Sequence, residues 1–347
     1  MTKPRISPTH LALVSILFIG IAAIAVTLIA ETRYDVWNHR HESIAQQKAL
    51  LSGEVLPYDG ELLPYREARN RVFFPALLTT ISLVIPQLAP TQVWMLLRAI
   101  TALVMMGTLF FSVLRLTRRV DLAMLSVFLH VVAVALTMNF PWTHPWDFLD
   151  SAFFFACAVL SLGPGTVQDR ITLAGLVALA ALNRESSAMA GVVWLACRGW
   201  RIKPLEVAFA LLLFVIGYGV AIGVRAVYGI DADVQFDYSL VAAVADFWTL
   251  LLSELLRPTF SSSGLLWLCL AGIGGGLVSL GWSDGRVRSL TAAAIILVLA
   301  STPFANPVEL RPQIPSVSLL VLAGLLAINE RWPQLRTQMP PTEARNH

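Results

Sequence analysis

The stretch Leu182-Asn183-Arg184-Glu185-Ser186 lies inside an apolar run from Ile171 to Cys197. Two adjacent charges at that depth cost about 3 kcal/mol each in lipid on insertion scales. They therefore face protein, a polar cavity or a counter-charge, and not lipid. Ile171 to Leu182 would make roughly 18 Å of helix. The hydrocarbon core is about 30 Å thick, so this piece falls short of crossing. Arg170 and Arg198, which flank the run, both read as cytoplasmic because Lys and Arg gather on that side. The run must then cross an even number of times. The simplest solution is a re-entrant helical hairpin over 171–197 with Asn183-Arg184-Glu185 at its tip. Irregular backbone at depth is tolerated where it lines a protein cavity. The competing reading is one tilted helix with a buried Arg–Glu site.

The whole chain belongs to the same class. Of its 347 residues, 56% are hydrophobic and 14% charged, with a mean hydropathy of +0.69. A soluble domain carries about 25% charged residues. Leu11 to Ala30 has no charge, and Leu205 to Val224 has only Glu206. Lipid cannot satisfy backbone N–H and C=O groups, so the spans are helices. The expected fold is an all-α polytopic transmembrane bundle of about 8–10 membrane helices. Spans are expected near 11–30, 92–115, 121–138, 148–163, 205–225, 262–282, 289–302 and 315–329. Residues 1–330 form a single transmembrane domain in this reading. Residues 31–71 form a long first external loop, and 72–86, bounded by Pro75 and Pro86, an interfacial helix. The external loop 226–260 carries a second one, Ser239 to Leu256. The polar tail 331–347 is expected to be disordered and cytoplasmic.

Basic residues favour a cytoplasmic N-terminus. Lys3, Arg5, Arg115, Arg118, Arg119, Arg170, Arg198, Arg201, Lys203, Arg286, Arg288, Arg331, Arg336 and Arg345 then lie inside. Beyond the first loop only Arg225, Arg257 and Arg311 lie outside. Lys3 and Arg5 precede an apolar run too long for a signal peptide and without a clear cleavage site, so it reads as an uncleaved first helix. The net charge of +3 gives no reason to expect nucleic acid. Cys157, Cys197 and Cys269 lie in apolar runs and read as core packing. The six histidines show no metal-ligand spacing.

With this orientation the unusual polar residues share the outer half of the membrane. Glu31, Arg33 and Asp35 follow the first span, and Arg66, Arg69 and Arg71 lead into the interfacial piece. Asp147 and Asp150 open the fourth span, and Glu309 and Arg311 open the last. Arg184 and Glu185 join them from the hairpin tip. Transfer from a lipid-phosphate donor would use such a set. A carboxylate takes a proton from an acceptor hydroxyl, and arginines hold the departing phosphate. No cofactor is demanded, although a divalent metal would help where two carboxylates meet. The structural alternative is internal ion pairing, for instance Arg184 with Glu309 or Glu185 with Arg311. Arg98, inside the second span, reads as an ion-pair partner or a snorkelling residue.

Pro145-Trp146-Asp147-Phe148-Leu149-Asp150 opening a helix, then Ala181-Leu182-Asn183-Arg184-Glu185-Ser186 in a second apolar segment, resembles a large group of bacterial polytopic proteins. Tyr65-Arg66 to Arg71-Val72-Phe73-Phe74-Pro75 and Glu309-Leu310-Arg311 match that group too. The group is similar in layout to the GT-C class of membrane glycosyltransferases, over roughly 30–330. The resemblance implies a bacterial inner-membrane enzyme that uses a polyprenyl-phosphate-linked sugar on the outer face. It places Asp35, or Glu31, where such enzymes carry an acidic residue after the first helix. Asp35 would be the base, and Arg184, Arg311 and Arg71 would bind the lipid phosphate. Glu185, Glu309, Asp147 and Asp150 would orient these arginines or bind the sugar or acceptor. The chain departs from the class in lacking an adjacent acidic pair and a sizeable C-terminal external domain. The acceptor stays open. The rival readings are a transporter or flippase of a lipid-linked sugar, and a non-catalytic scaffold for envelope polysaccharide assembly.

Overall fold

The structure is a computed structural model and describes residues 8–33, 73–137, 145–199, 203–227, 240–256, 272, 274–301 and 313–331. All regular structure among these residues is helical. The helices are α1 (Pro8–Arg33), α2 (Phe73–Val84), α3 (Pro90–Thr117), α4 (Val120–Thr137), α5 (Pro145–Leu162), α6 (Val167–Ala181), α7 (Ala190–Cys197), α8 (Pro204–Val227), α9 (Leu240–Leu256), α10 (Gly275–Leu280), α11 (Gly285–Ser301) and α12 (Ile314–Arg331). A short 3-10 helix, Glu185–Met189, joins α6 to α7.

Proline sets several of the starts. Pro8, Pro90, Pro145 and Pro204 each open a helix. The first helical position needs no N–H and suits the fixed φ of proline. The Ala89 N–H, left over at the start of α3, donates to Gln92 Oε1 at 2.8 Å. At the other end α3 closes on Arg118 in the left-handed conformation, φ 59°, whose N–H returns to Leu114 O at 2.8 Å. The chain can then reverse directly into α4.

Among the described residues three helices are long and apolar enough to cross a membrane, within α1, α3 and α8. Their surroundings differ. Of its most apolar window α3 buries 56%, while α1 and α8 bury 33% and 28%. Thus α3 is a core helix, and α1 and α8 are peripheral. The outward side chains of α1 and α8 are themselves apolar, Leu13, Ile16, Ile21, Leu211, Val215 and Ile222 among them. Such a surface matches lipid and not water. Shorter apolar helices lie in α4, in α9 and across 185–197.

The core is built around α3 and α5, which pack along each other. Met105, Met106, Leu109, Phe154 and Phe155 fill it. The helices α1 and α4 cover α3, while α12 joins α5 to α11. On the far side of α5, the segment α6–α7 wedges between α5 and α8.

The start of α6 carries a reciprocal cap. Thr166 N–H donates to Asp169 Oδ2 at 2.9 Å, and Asp169 N–H to Thr166 Oγ1 at 3.1 Å. These bonds satisfy two otherwise orphaned donors. The Thr166 N–H beside it holds the Asp169 carboxyl below its ordinary 3.8. A depressed folded value means the stabilisation is complete above the ordinary pKa and is lost as pH falls through the folded one. Thr166→Ala is expected to destabilise the protein by about 1 kcal/mol. Thermal unfolding at pH 7 measures this, and the difference from wild type should shrink in acid. An unchanged melting temperature at pH 7 would remove the cap from the account.

Candidate functional site at the hairpin tip

The segment 167–197 doubles back on itself. Its two ends meet at one place. Arg198, just after α7, donates from Nη1 to the Gly163 carbonyl at 3.1 Å, just before α6. The Arg170 guanidinium, near the start of α6, lies 5.7 Å from the Trp194 ring centroid, near the end of α7. Meanwhile Arg184, in the middle, reaches the opposite end of α5. The segment is therefore a helical hairpin with a base and a tip.

The base is tightly made. Glu206, at the start of α8, accepts from Arg170 Nη2 at 2.8 Å and from Trp194 Nε1 at 2.8 Å. The Arg198 guanidinium stacks 3.9 Å from the Trp194 centroid, a favourable cation–π distance. Gly165 adopts φ +74°, and a Cβ there would lie 2.7 Å from Arg198 Nη1. Glycine suits this conformation, and a larger residue would also push the Arg198 guanidinium aside.

The tip forms because the α6 helix stops at Ala181. Asn183 and Arg184 N–H groups both return to Ala180 O, at 2.9 and 2.8 Å. Arg184 is then extended, φ −160° and ψ 141°, which turns its side chain away from the hairpin axis toward α5. There Asp147 lies in the first turn and Asp150 one turn on. Three residues apart, they share a helix face. The exposed N–H groups of the helix start also favour carboxylates.

Arg184 Nη1 donates to Asp147 Oδ1 at 2.9 Å and to Asp150 Oδ2 at 3.5 Å. Ser186 Oγ donates to Asp150 Oδ1 at 2.7 Å. Asn183 Nδ2 donates to the Trp146 carbonyl at 3.0 Å. The carboxylates are sealed, with Asp147 at 0% and Asp150 at 2% exposure, while Arg184 keeps 13%. Glu185 opens the 3-10 helix and is partly buried. Other elements brace the tip. Phe73, first residue of α2, donates its N–H to Leu182 O at 3.1 Å. Gly217 of α8 passes so close that a Cβ there would sit 2.6 Å from Ala188 Cα.

Four of the residues that the sequence brings forward thus stand together at the tip: Asp147, Asp150, Arg184 and Glu185. Asp35, Arg71, Glu309 and Arg311 lie outside the described residues, as do Arg66, Arg69, Cys269, His39 and His41. Glu31 belongs to the last turn of α1. The described carboxylate partners of Arg184 are on α5. Asn183 and Ser186 bind the same helix, although their residue types carry no such signal on their own.

Of the two readings of Arg98, burial excludes snorkelling, since Arg98 is fully buried on α3. Its guanidinium lies 6.0 Å from the Trp94 ring centroid. Trp94 in turn meets Trp146 edge to face at 6.4 Å. Four residues on from each tryptophan, Arg98 and Asp150 fall at one level of the bundle. A second polar set lies deeper. Ser151 Oγ is 2.8 Å from Ser318 Oγ and 3.4 Å from His130 Nε2.

The arrangement holds two carboxyl groups away from solvent and in fixed positions. Among the described residues no group of three or more His, Cys, Asp or Glu is placed to hold a metal ion. Compared with family models, curated proteins and solved structures, the chain matches none.

Proposed function

We propose that the chain is a multi-pass membrane glycosyltransferase of GT-C-like type. It would use a polyprenyl-phosphate-linked sugar on the outer face of a bacterial inner membrane. The observation that carries the reading is the Asp147–Arg184–Asp150 cluster at the tip of a hairpin fastened at both ends. Ionised groups in a water-poor site act most strongly when they need not reorganise. The Glu206 and Arg198 contacts secure the hairpin base, and α5 and α8 hold the tip. Transporters are often built from inverted repeats, and the sequence shows none. In the membrane the hairpin would be re-entrant, entering and leaving on the cytoplasmic side. Both termini would be cytoplasmic.

In this reading Asp35 takes the proton from an acceptor hydroxyl. The acceptor oxygen attacks the anomeric carbon, the carbon–oxygen bond to the phosphate breaks, and the lipid phosphate departs with both electrons. Arg71 and Arg311 receive that phosphate. Arg184 holds Asp147 and Asp150 in place, and Glu185 and Glu309 complete the polar lining.

The test is release of lipid phosphate by purified protein in liposomes. The liposomes would contain mixed polyprenyl-phosphate sugars and an envelope extract as source of acceptor. Asp35→Asn should reduce release by about 10²- to 10⁴-fold, the usual weight of a general base, while melting as wild type does. Full activity in that variant would remove Asp35 from the mechanism. Donor that changes leaflet intact, with no lipid phosphate released, would make the protein a flippase.

A further inference from the structure

The arginines at the base end of the hairpin fall into two sets. Arg119 is paired with Asp121, and Arg170 with Glu206. Arg115 and Arg118, at the end of α3, are exposed, and no ion pair holds them among the described residues. Asp169, at the start of α6, lies within electrostatic range of both Arg115 and Arg198, which brings these elements to one patch. Its carboxylate is bound to the Thr166 N–H. Arg198 binds a carbonyl and not a carboxylate. Its Nε and Nη2 are sealed and have no acceptor, so this charge acts through space and not by contact. With the two ion pairs set aside, Arg115, Arg118 and Arg198 face the one carboxylate of Asp169. The excess of positive charge attracts an anion.

The apolar neighbours decide which kind. Phe111, one turn before Arg115, shares its helix face and is 62% exposed. Val167 and Ile171, on either side of Asp169, are 73% and 68% exposed. A water-soluble polyanion would match the cations and leave these side chains in water. A phospholipid covers both, because its phosphate meets the cations and its acyl chains meet the apolar side chains.

We propose that the base end of the hairpin binds an anionic phospholipid of the leaflet it faces, with the headgroup at Arg115 and Arg118 and the chains on Phe111 and Val167. The orientation proposed above makes this the cytoplasmic leaflet. The site itself depends neither on that orientation nor on the transferase reading.

The experiment titrates the full chain in neutral detergent and follows its melting temperature, which rises when a ligand binds the folded state. The probes are dioleoyl phosphatidylglycerol, dioleoyl phosphatidylcholine and glycerol phosphate, a headgroup without chains. Phosphatidylglycerol should act at lower concentration than phosphatidylcholine, and glycerol phosphate should have no effect over the same range. In Arg115→Gln/Arg118→Asn the half-maximal phosphatidylglycerol concentration should rise about tenfold or more. Asparagine suits position 118 because it tolerates the left-handed φ of 59° found there. Arg288→Gln/Arg331→Gln removes two exposed arginines at the start of α11 and the end of α12. It should leave the half-maximal concentration within about twofold of wild type. Phe111→Ala should raise that concentration about threefold or more, and it carries the test if the α3 arginine variant fails to fold. Equal response to the two phospholipids overturns the proposal, as does a full response to glycerol phosphate. Equal loss in the two double variants also overturns it, because the attraction would then belong to the whole basic end. Wild-type affinity in Phe111→Ala would remove the acyl-chain contact and with it the choice of a lipid.

Discussion

Replacing Arg184 with methionine is expected to destabilise the protein by about 3–5 kcal/mol, the usual loss when one partner of a buried ion pair is removed. The methionine fills much of the same space, so the loss is electrostatic. Asp147 and Asp150, at 0% and 2% exposure, would lose the cation that both share. Neutralising the carboxylates should undo the damage. Asp147→Asn with Asp150→Asn, combined with Arg184→Met, should recover a substantial part of the loss. The two single-residue asparagine variants should recover less than the pair. Thermal unfolding in detergent of this set measures the coupling. Arg184→Met with wild-type stability would show that the cluster is not held by charge. The double asparagine background also separates stability from activity. A protein refolded in this way but inactive would place the cluster as a whole in the chemistry or its substrate binding.

The pairing itself could not be read from the chain, although its members could. Arg184 announces itself because a charge in an apolar run is expensive. Asp147 and Asp150 announce themselves by opening a span. Position along the sequence fixes their depth but not their azimuth around the bundle. Glu309 at similar depth was therefore an equally good partner for Arg184. Only the way α5 faces the hairpin brings in the aspartates, and Glu309 lies outside the described residues. The helix limits were far more legible. Pro90, Pro145 and Pro204 mark starts that agree with the expected spans to within a few residues. Which of its two readings Arg98 follows was hidden for a related reason. A long cationic side chain four residues beyond Trp94 can reach an interface if its helix faces lipid. Here α3 is the buried helix, and that depends on α1, α4 and α5 all packing on it. The close approaches of glycine were not legible either. Gly217, Gly219 and Gly223 look alike in an apolar helix, because nothing in α8 says which face meets the hairpin.

That difference between like glycines gives a sharp expectation. Gly217→Ala and Gly219→Ala change the same helix by the same methyl group, two residues apart. In an open position alanine is the better helix former, by about 0.5–1 kcal/mol. Gly219 is such a position, with nothing within 4 Å of an added Cβ. Gly219→Ala should therefore leave the melting temperature unchanged or raise it. At Gly217 the added Cβ meets Ala188 Cα, Cβ and N at 2.6, 2.8 and 2.9 Å. Two of these are backbone atoms of the 3-10 helix that carries Glu185, so they cannot rotate aside. Overpacking of this kind costs about 1–3 kcal/mol, which reverses the sign expected from helix propensity. The relief available is movement of the hairpin tip away from α8. Displacing a site by about 1 Å can lower a rate 10²-fold, so lipid-phosphate release should fall more steeply than stability. Equal behaviour of the two variants would mean that α8 does not press on the tip. The fixed geometry invoked for Arg184 would then rest on the hairpin base and on the contacts with α2 and α5.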